Sequence, residues 1–553
     1  MDKTRRRKSG AAPGKAAPGK AIGLAAFALS VALAAAPATA QTPPAGAVTE
    51  EIARVTGRAG DPVAAFYQRT QQQPAWLRLE QVESLAAALQ TLPRDGLDPA
   101  DYWDGPDSLR EAFARSRRAS AQARAAFDVR ATQTLLGALD DLQRGRLDPG
   151  EQVAGWETPR PARTYAMSRV VDAVRDADVA RALALARPDT AAYGQLRRAL
   201  AKYRALARRA RQTNTPLLPV DGAALRPDDT GEEVAILRRR LAYWGISEAL
   251  FGDPGTYARV AARAPDPQRF DAGLEAAVKA FQRRHLLDED GVVGHKTRRA
   301  LNAAVGPRVA TLRVNLERAR WMPPVTARKP GVWVDIAGYR MHYTRPSGER
   351  WSSKVIVGRA GRETPVLHSV ITHLTVNPTW TVPPTIWRED ALPNIRRDPG
   401  YLARRNMRVL SPDGTRLDPQ SIDWQSPGNV MLRQAAGPGN PLGRVVVRFP
   451  NDQLIYLHDT PSRGLFNRDR RALSSGCVRV EGVRELVRML LDDTGSDYRL
   501  DMLLRRGKSD RNVYLPRRVP LALVYLTAWP SARGEVVFRP DVYRRDAALL
   551  GAL

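Results

Sequence analysis

The spacing of apolar residues changes once along this chain, and that change constrains its fold more than any other feature. From about Val48 to Arg211, and again from residue 218 to 321, apolar side chains recur every three or four positions, most plainly in Ala121 to Leu142 and Ala180 to Ala207. From Gly331 the period shortens to that of strands. Val332 to Ile336, Lys354 to Gly358, Val366 to Val376, Val445 to Phe449 and Leu454 to His458 are β-rich runs between Gly and Pro turns. A stripe at helical spacing cannot line the face of a strand, so the chain must build helical units and a separate β unit. The expected class is therefore α+β, multidomain, and 553 residues leave room for several cores.

Within the helical part, Asp95-Gly96-Leu97-Asp98-Pro99 and Gly145-Arg146-Leu147-Asp148-Pro149 are turn signals that divide a helical scaffold spanning 41–215. A second module, 216–306, opens with Gly231, Val234, Leu237, Leu241 and Gly245 and closes with Phe270, Leu274, Val278 and Phe281. The turn Asp290-Gly291 with Gly294 then precedes a last helix. Leu312 to Trp321 predicts a connecting helix within 307–330. The β runs predict an antiparallel, sandwich-like domain over 331–553, with Val519 to Ala528 and Val536 to Phe538 returning to its sheet. Inside it, an irregular, Arg- and Pro-rich insertion at 385–443 follows Asn377 to Pro384; an insertion of that length is more often functional than incidental, commonly a mobile lid.

The net charge of +28 comes overwhelmingly from Arg spread along the whole length, which suits an anionic polymer or membrane surface. No basic cluster interleaved with aromatics and no zinc-ligand spacing occurs, which argues against nucleic acid as a partner. Residues 1–40 read as an export signal. Arg5, Arg6, Arg7 and Lys8 precede an apolar run from Ala21 to Ala36, and Ala38-Thr39-Ala40 gives a cleavage site that starts the mature chain at Gln41. The expected location is the periplasm or cell envelope.

An exported chain with one cysteine has no internal disulfide to make, so Cys477 is either a protected core thiol or a functional one. Its neighbours Arg468 to Arg471, Ser474, Ser475 and Gly476 are polar and turn-forming, which is poor core composition. His458 lies 19 positions upstream. A thiolate attacks carbonyl carbon, and an imidazole can take the thiol's proton and stabilise the anion as an ion pair. The spacing predicts a strand ending at His458, a returning loop, and a helix starting just after Cys477, with Val483, Leu486, Val487 and Leu490 at helical spacing over Gly482 to Leu491, whose N–H groups favour a thiolate and an oxyanion. Gly476 would let substrate approach closely. His368 and His373 stand five apart in one strand run, on opposite faces and without a carboxylate, so no metal site is expected.

Tyr456-Leu457-His458-Asp459-Thr460-Pro461 and Arg471 to Glu481 (RALSSGCVRVE) resemble the catalytic motif of the L,D-transpeptidases with the YkuD fold, in the multidomain YcbB-like branch. Phe66-Tyr67 and Pro74 to Leu77 look like that branch's N-terminal scaffold, and 216–306 resembles the peptidoglycan-binding domain 1 family. The resemblance implies Cys477 as nucleophile and His458 as its base, with the Asp459 backbone orienting the imidazole and Gly476 and Ser475 beside the oxyanion. Ser475 stands where many members carry a second His. Trp380 and Tyr456 would line the acyl-donor cleft, Arg479 would hold a substrate carboxylate, and 385–443 would cap the site.

The implied reaction joins peptidoglycan stem peptides. The thiolate attacks the bond between the third residue and D-Ala at position four, D-Ala leaves, and an amine from a second stem resolves the thioester into a 3-to-3 link, without metal or organic cofactor. Resolution by water would make the enzyme a carboxypeptidase or endopeptidase. Resolution by the amine of a cell-envelope protein would make it a ligase, and a large separation of His458 from Cys477 would favour a non-catalytic wall-binding protein.

Overall fold

The computed structural model describes residues 45–56, 61–153, 156, 158–245, 266–322, 330–398, 400–505, 507, 509–531 and 534–553. The export segment at 1–40 and most of the stretch between Gly245 and Phe270 lie outside the described residues.

The scaffold is a helical assembly around Ala121–Arg144, whose Phe127, Ala131, Leu135, Leu136, Leu139 and Leu142 are buried at helical spacing. Ser120 starts this helix by accepting the Ala123 N–H, and Gly145 ends it at φ +85°. A side chain at Gly145 would run into the Trp321 indole, so the same glycine lets the scaffold close on the connecting helix. The run from Ala180 to Ala207 is not one helix. It divides into Val179–Ala186 and Ala191–Gln212, because Pro188 brings no N–H and Thr190 caps the second helix through Tyr193.

The connecting helix, Gly306–Trp321, is buried on nearly all sides. Leu312 and Leu316 pack into the core of the second module, and Val314 and Trp321 pack beside Val153 and Leu549. Its buried charges are paired, Arg320 with Glu317 at 2.7 Å and Arg318 with Asp546 at 2.6 Å. Unpaired, either would carry a large desolvation cost. The second module uses helices Glu232–Tyr243, Ala272–Arg284 and His295–Asn302, with Gly291 at φ +76° in the expected turn.

The β domain consists of β1 (Gly331–Asp335), β2 (Arg340–Thr344), β3 (Arg350–Gly358), β4 (Leu367–Val376), β5 (Trp380–Thr381), β6 (Met407–Leu410), β7 (Arg416–Leu417), β8 (Met431–Gln434), β9 (Val445–Arg448), β10 (Leu457–His458), β11 (Ala472–Ser474), β12 (Val478–Val480), β13 (Arg511–Val524), β14 (Ala528–Pro530) and β15 (Val536–Phe538). The main sheet runs β11-β3-β12-β10-β9-β4-β13-β1-β2, and β2 pairs again with β3. This corrects the antiparallel sandwich. The sheet closes on itself, because β3 gives its first residues to β2 and its later ones to β12 and β11. It is also mixed, with β10–β12, β1–β13 and β3–β11 parallel. Helix Val483–Thr494 packs Val483, Leu486, Val487 and Leu490 into the sheet's core.

Two further expectations change. β15 does not return to the main sheet; it pairs with β14, and Phe538 meets Tyr203 ring to ring at 5.1 Å in the second module's core. The Arg- and Pro-rich insertion is not irregular. With β5 it forms a four-stranded sheet, β5-β8-β6-β7, over its own cluster of Val382, Ala391, Ile395, Leu402, Met407, Val409 and Leu432. We call it the cap.

Candidate active site

Register places the chemistry. β10 lies between β9 and β12, with Leu457 opposite Val447 and Val478, and His458 opposite Val446 and Arg479. Leu457, Val447 and Val478 are fully buried and belong to the domain's main core. Because side chains alternate across a strand, Tyr456, His458, Cys477, Arg479 and Arg448 all belong to the opposite face. Cys477 is level with Tyr456, and His458 is its diagonal neighbour.

The helix expected from Val483, Leu486, Val487 and Leu490 is present as Val483–Thr494, but it does not start just after Cys477. Val478–Val480 is a strand with both valines on the core face, and the helix begins at Val483. Two β-branched residues flanking one polar residue make a strand period, and pairing with β3 and β10 fixes it.

His458 is 4% exposed, and its Nδ1 donates to the Asp459 carbonyl at 2.6 Å. A carbonyl only accepts, so the proton is on Nδ1 and the neutral ring offers Nε2 as its basic atom. Burial, then the charge of Arg479, push this imidazole down to about 3, against the carbonyls of Asp459 and Pro441. The thiol moves the other way. Burial pushes Cys477 up, partly offset by hydrogen bonds from the Tyr456 backbone and hydroxyl and by the charges of Arg448 and Arg479. Its Sγ faces the Leu454 carbonyl at 3.8 Å. No hydrogen bond joins Cys477 to His458 among the described residues, and the imidazole is not among the groups that lower the thiol. Burial of both groups therefore favours a neutral thiol beside a neutral imidazole in place of the expected resting ion pair.

Asp459, 2% exposed, accepts the N–H groups of Thr460 at 2.9 Å and Arg444 at 3.1 Å, and the Arg463 guanidinium at 2.8 Å. Its carboxylate thus anchors the loop while its backbone carbonyl holds the imidazole. Gly476 is buried at φ +113°, a conformation that favours glycine. Ser474 Oγ donates to the Cys477 carbonyl at 2.6 Å. Ser475 is exposed and accepts from the Arg362 guanidinium at 3.0 Å.

The Tyr456 hydroxyl bonds to Cys477, and burial with the neighbouring thiol pushes this phenol upward. Its ring meets His458 edge-on at 5.7 Å, and the Arg448 guanidinium lies over it at 4.7 Å. Arg479 is partly buried with an Nε that has no partner, and no carboxylate pairs with either Arg479 or Arg448 among the described residues. Two cations without a carboxylate partner beside a thiol favour an anion there. Arg448 escapes sequence reasoning; the one signal is a charged residue closing the run Val445-Val446-Val447. Trp380 is partly buried in β5 and packs against the cap's cluster.

Residues 61–200 match a family described as a scaffold domain, 230–301 one described as a "Putative peptidoglycan binding domain", and 329–501 the YkuD family, described as the L,D-transpeptidase catalytic domain. A Haemophilus influenzae protein named "Putative L,D-transpeptidase" is 39% identical over 238 residues, covering 42% of this chain and 48% of the relative. The chain therefore spans about half the length of the curated relative it matches. Residues 329–501, which carry His458 and Cys477, thus match the YkuD family of L,D-transpeptidase catalytic domains, in one chain with stretches that match a scaffold domain and a peptidoglycan-binding-type domain.

Proposed function

We propose that this protein is a cysteine L,D-transpeptidase that forms 3-to-3 cross-links between peptidoglycan stems. The observation that carries the reading is the shared sheet face of Cys477, Tyr456 and His458, with Arg479 unpaired beside them. A donor stem brings carboxylates to Arg479 and Arg448 and a carbonyl carbon to the thiol. The Sγ proton leaves the Leu454 carbonyl and passes to His458 Nε2 as the S–C bond forms. The carbonyl oxygen takes the negative charge and is met by the Cys477 backbone N–H, which has no other partner among the described residues. The C–N bond then breaks, and the imidazolium returns the proton to the departing D-Ala amine. An acceptor amine attacks the thioester, loses its proton through His458 and restores the thiol.

Both groups are neutral at rest, so the proton moves only when the tetrahedral carbon is being made, which spares the thiolate from adventitious oxidation. The peptidoglycan-related domains support a location at the cell wall, reached in this reading by export directed by residues 1–40. No helix of the described residues is long and apolar enough to cross a membrane.

The test is turnover of purified tetrapeptide stems. Cys477→Ala should abolish it, and His458→Gln should lower it by roughly a hundredfold, the usual scale for losing a general base. Tripeptide without dimers would redirect the reading to hydrolysis, and full activity in Cys477→Ala would end it.

A further inference from the structure

Residues 359–364 follow β3 and lead toward β4, beside the loop that bears the nucleophile. Thr364 ends this strap and is fully buried. Its Oγ1 accepts the Gly358 N–H at 2.8 Å and donates to the Gly476 carbonyl at 2.6 Å. A hydroxyl has one proton, and Gly358 N–H can only donate, so that proton is committed to Gly476. Tyr543 braces the other side, donating to the Gly358 carbonyl at 2.9 Å and accepting the Thr364 N–H at 3.1 Å.

The consequence lies one atom further on. The peptide between Gly476 and Cys477 is planar, and its C=O and N–H point in opposite directions when it is trans. With the Gly476 oxygen held on Thr364, the Cys477 N–H is turned away from the buried strap. No group of the described residues takes it up. The positive φ of Gly476 permits this plane, and Ser474 holds the following one through the Cys477 carbonyl.

We infer that Thr364 is a positioning residue for the reaction: its hydroxyl aims the Cys477 N–H at the oxyanion of the tetrahedral intermediate. The inference rests on the reading of Cys477 as the acylated nucleophile. Aim matters because a donor contributes fully only when fixed in advance, and loss of one oxyanion donor costs about 10²–10³ in kcat.

The experiment compares Thr364→Val and Thr364→Ser in the full-length protein, by turnover of tetrapeptide stems and by alkylation of Cys477 with iodoacetamide. Alkylation displaces iodide from a saturated carbon and develops no oxyanion, so it reports the thiol alone. Thr364→Val should lower kcat roughly 10–100-fold, less than outright loss of a donor. KM and the alkylation rate should stay within about twofold of wild type, and Thr364→Ser should restore kcat, because only the hydroxyl is required. Wild-type kcat in Thr364→Val overturns the inference. So does a parallel fall in kcat and alkylation, which marks a collapsed loop. If Thr364→Val does not fold, Tyr543→Phe serves: a several-fold lower kcat at unchanged alkylation supports the inference, and unchanged kcat overturns it. Turnover surviving in Cys477→Ala would remove the underlying reading instead, so the two failures are distinguishable.

Discussion

His458→Gln should flatten the acid side of this protein's stability curve. In the folded chain the imidazole is 4% exposed and its pKa is held down to about 3, chiefly by burial. In the unfolded chain it returns to about 6.5. A folded pKa below the unfolded one means that the unfolded chain takes up the proton first as pH falls. The contribution is thus intact above the unfolded value and is lost progressively from about pH 6.5 down to about 3. Each pH unit in that window costs about 1.4 kcal/mol, so going from pH 7 to 5 removes about 2 kcal/mol and the whole window about 5. Glutamine does not titrate. His285, His342 and His368, also held down by burial, are common to both proteins and cancel in the comparison. Between pH 7 and 5 the stability difference should therefore move toward the variant by about 2 kcal/mol, or roughly 4–8 °C in Tm for a domain of this size. Calorimetry of both full-length proteins across that range measures it. Parallel curves would mean that the folded imidazole titrates near its ordinary value, and the neutral resting base would be refuted.

Arg479→Met should reduce kcat/KM for carboxylate-bearing stems about 10–100-fold, the worth of one charge-assisted hydrogen bond; steady-state kinetics with a stem amidated at its carboxylates checks this, since amidation should then cost the variant almost nothing. Arg362, 8% exposed in its side chain, pairs with Glu389 and Asp390 of the cap while donating to Ser475, so Arg362→Gln should loosen the cap. Because Glu389 and Asp390 are 60% and 39% exposed, the expected effect is only about two- to fivefold in stem KM, read beside an unchanged iodoacetamide rate.

The legible parts of this molecule are those whose signal is local. Gly96 and Gly145 stand at positive φ in the two turns that end in Leu-Asp-Pro, and Asp98 and Asp148 cap the short helices that follow. His458 and Cys477 stand out because scarce, reactive residue types occur in a short polar window. What stays hidden is non-local. Val478-Arg479-Val480 cannot be told from the onset of a helix, with Val483, Leu486 and Val487 close behind, until β3 and β10 pair with it. Ring closure depends on β3 changing partners along its length, and neither β2 nor its register with β3 has a strong signature in Arg340-Met341-His342-Tyr343-Thr344. Thr364 and Tyr543 meet across 179 positions, so no spacing rule could join them to Gly476. The polarity of the insertion conceals a core built from a few residues such as Val409 and Leu432.

The most direct test of the central claim is the mass of the protein after brief incubation with a tetrapeptide donor and no acceptor, followed by peptide mapping. A thioester should appear on the peptide containing Cys477, heavier by the tripeptide acyl group, with one D-Ala released per adduct, and adding an acceptor stem should discharge it into 3-to-3 dimers. Release of D-Ala with Cys477 unmodified, and undiminished in Cys477→Ala, would contradict the account.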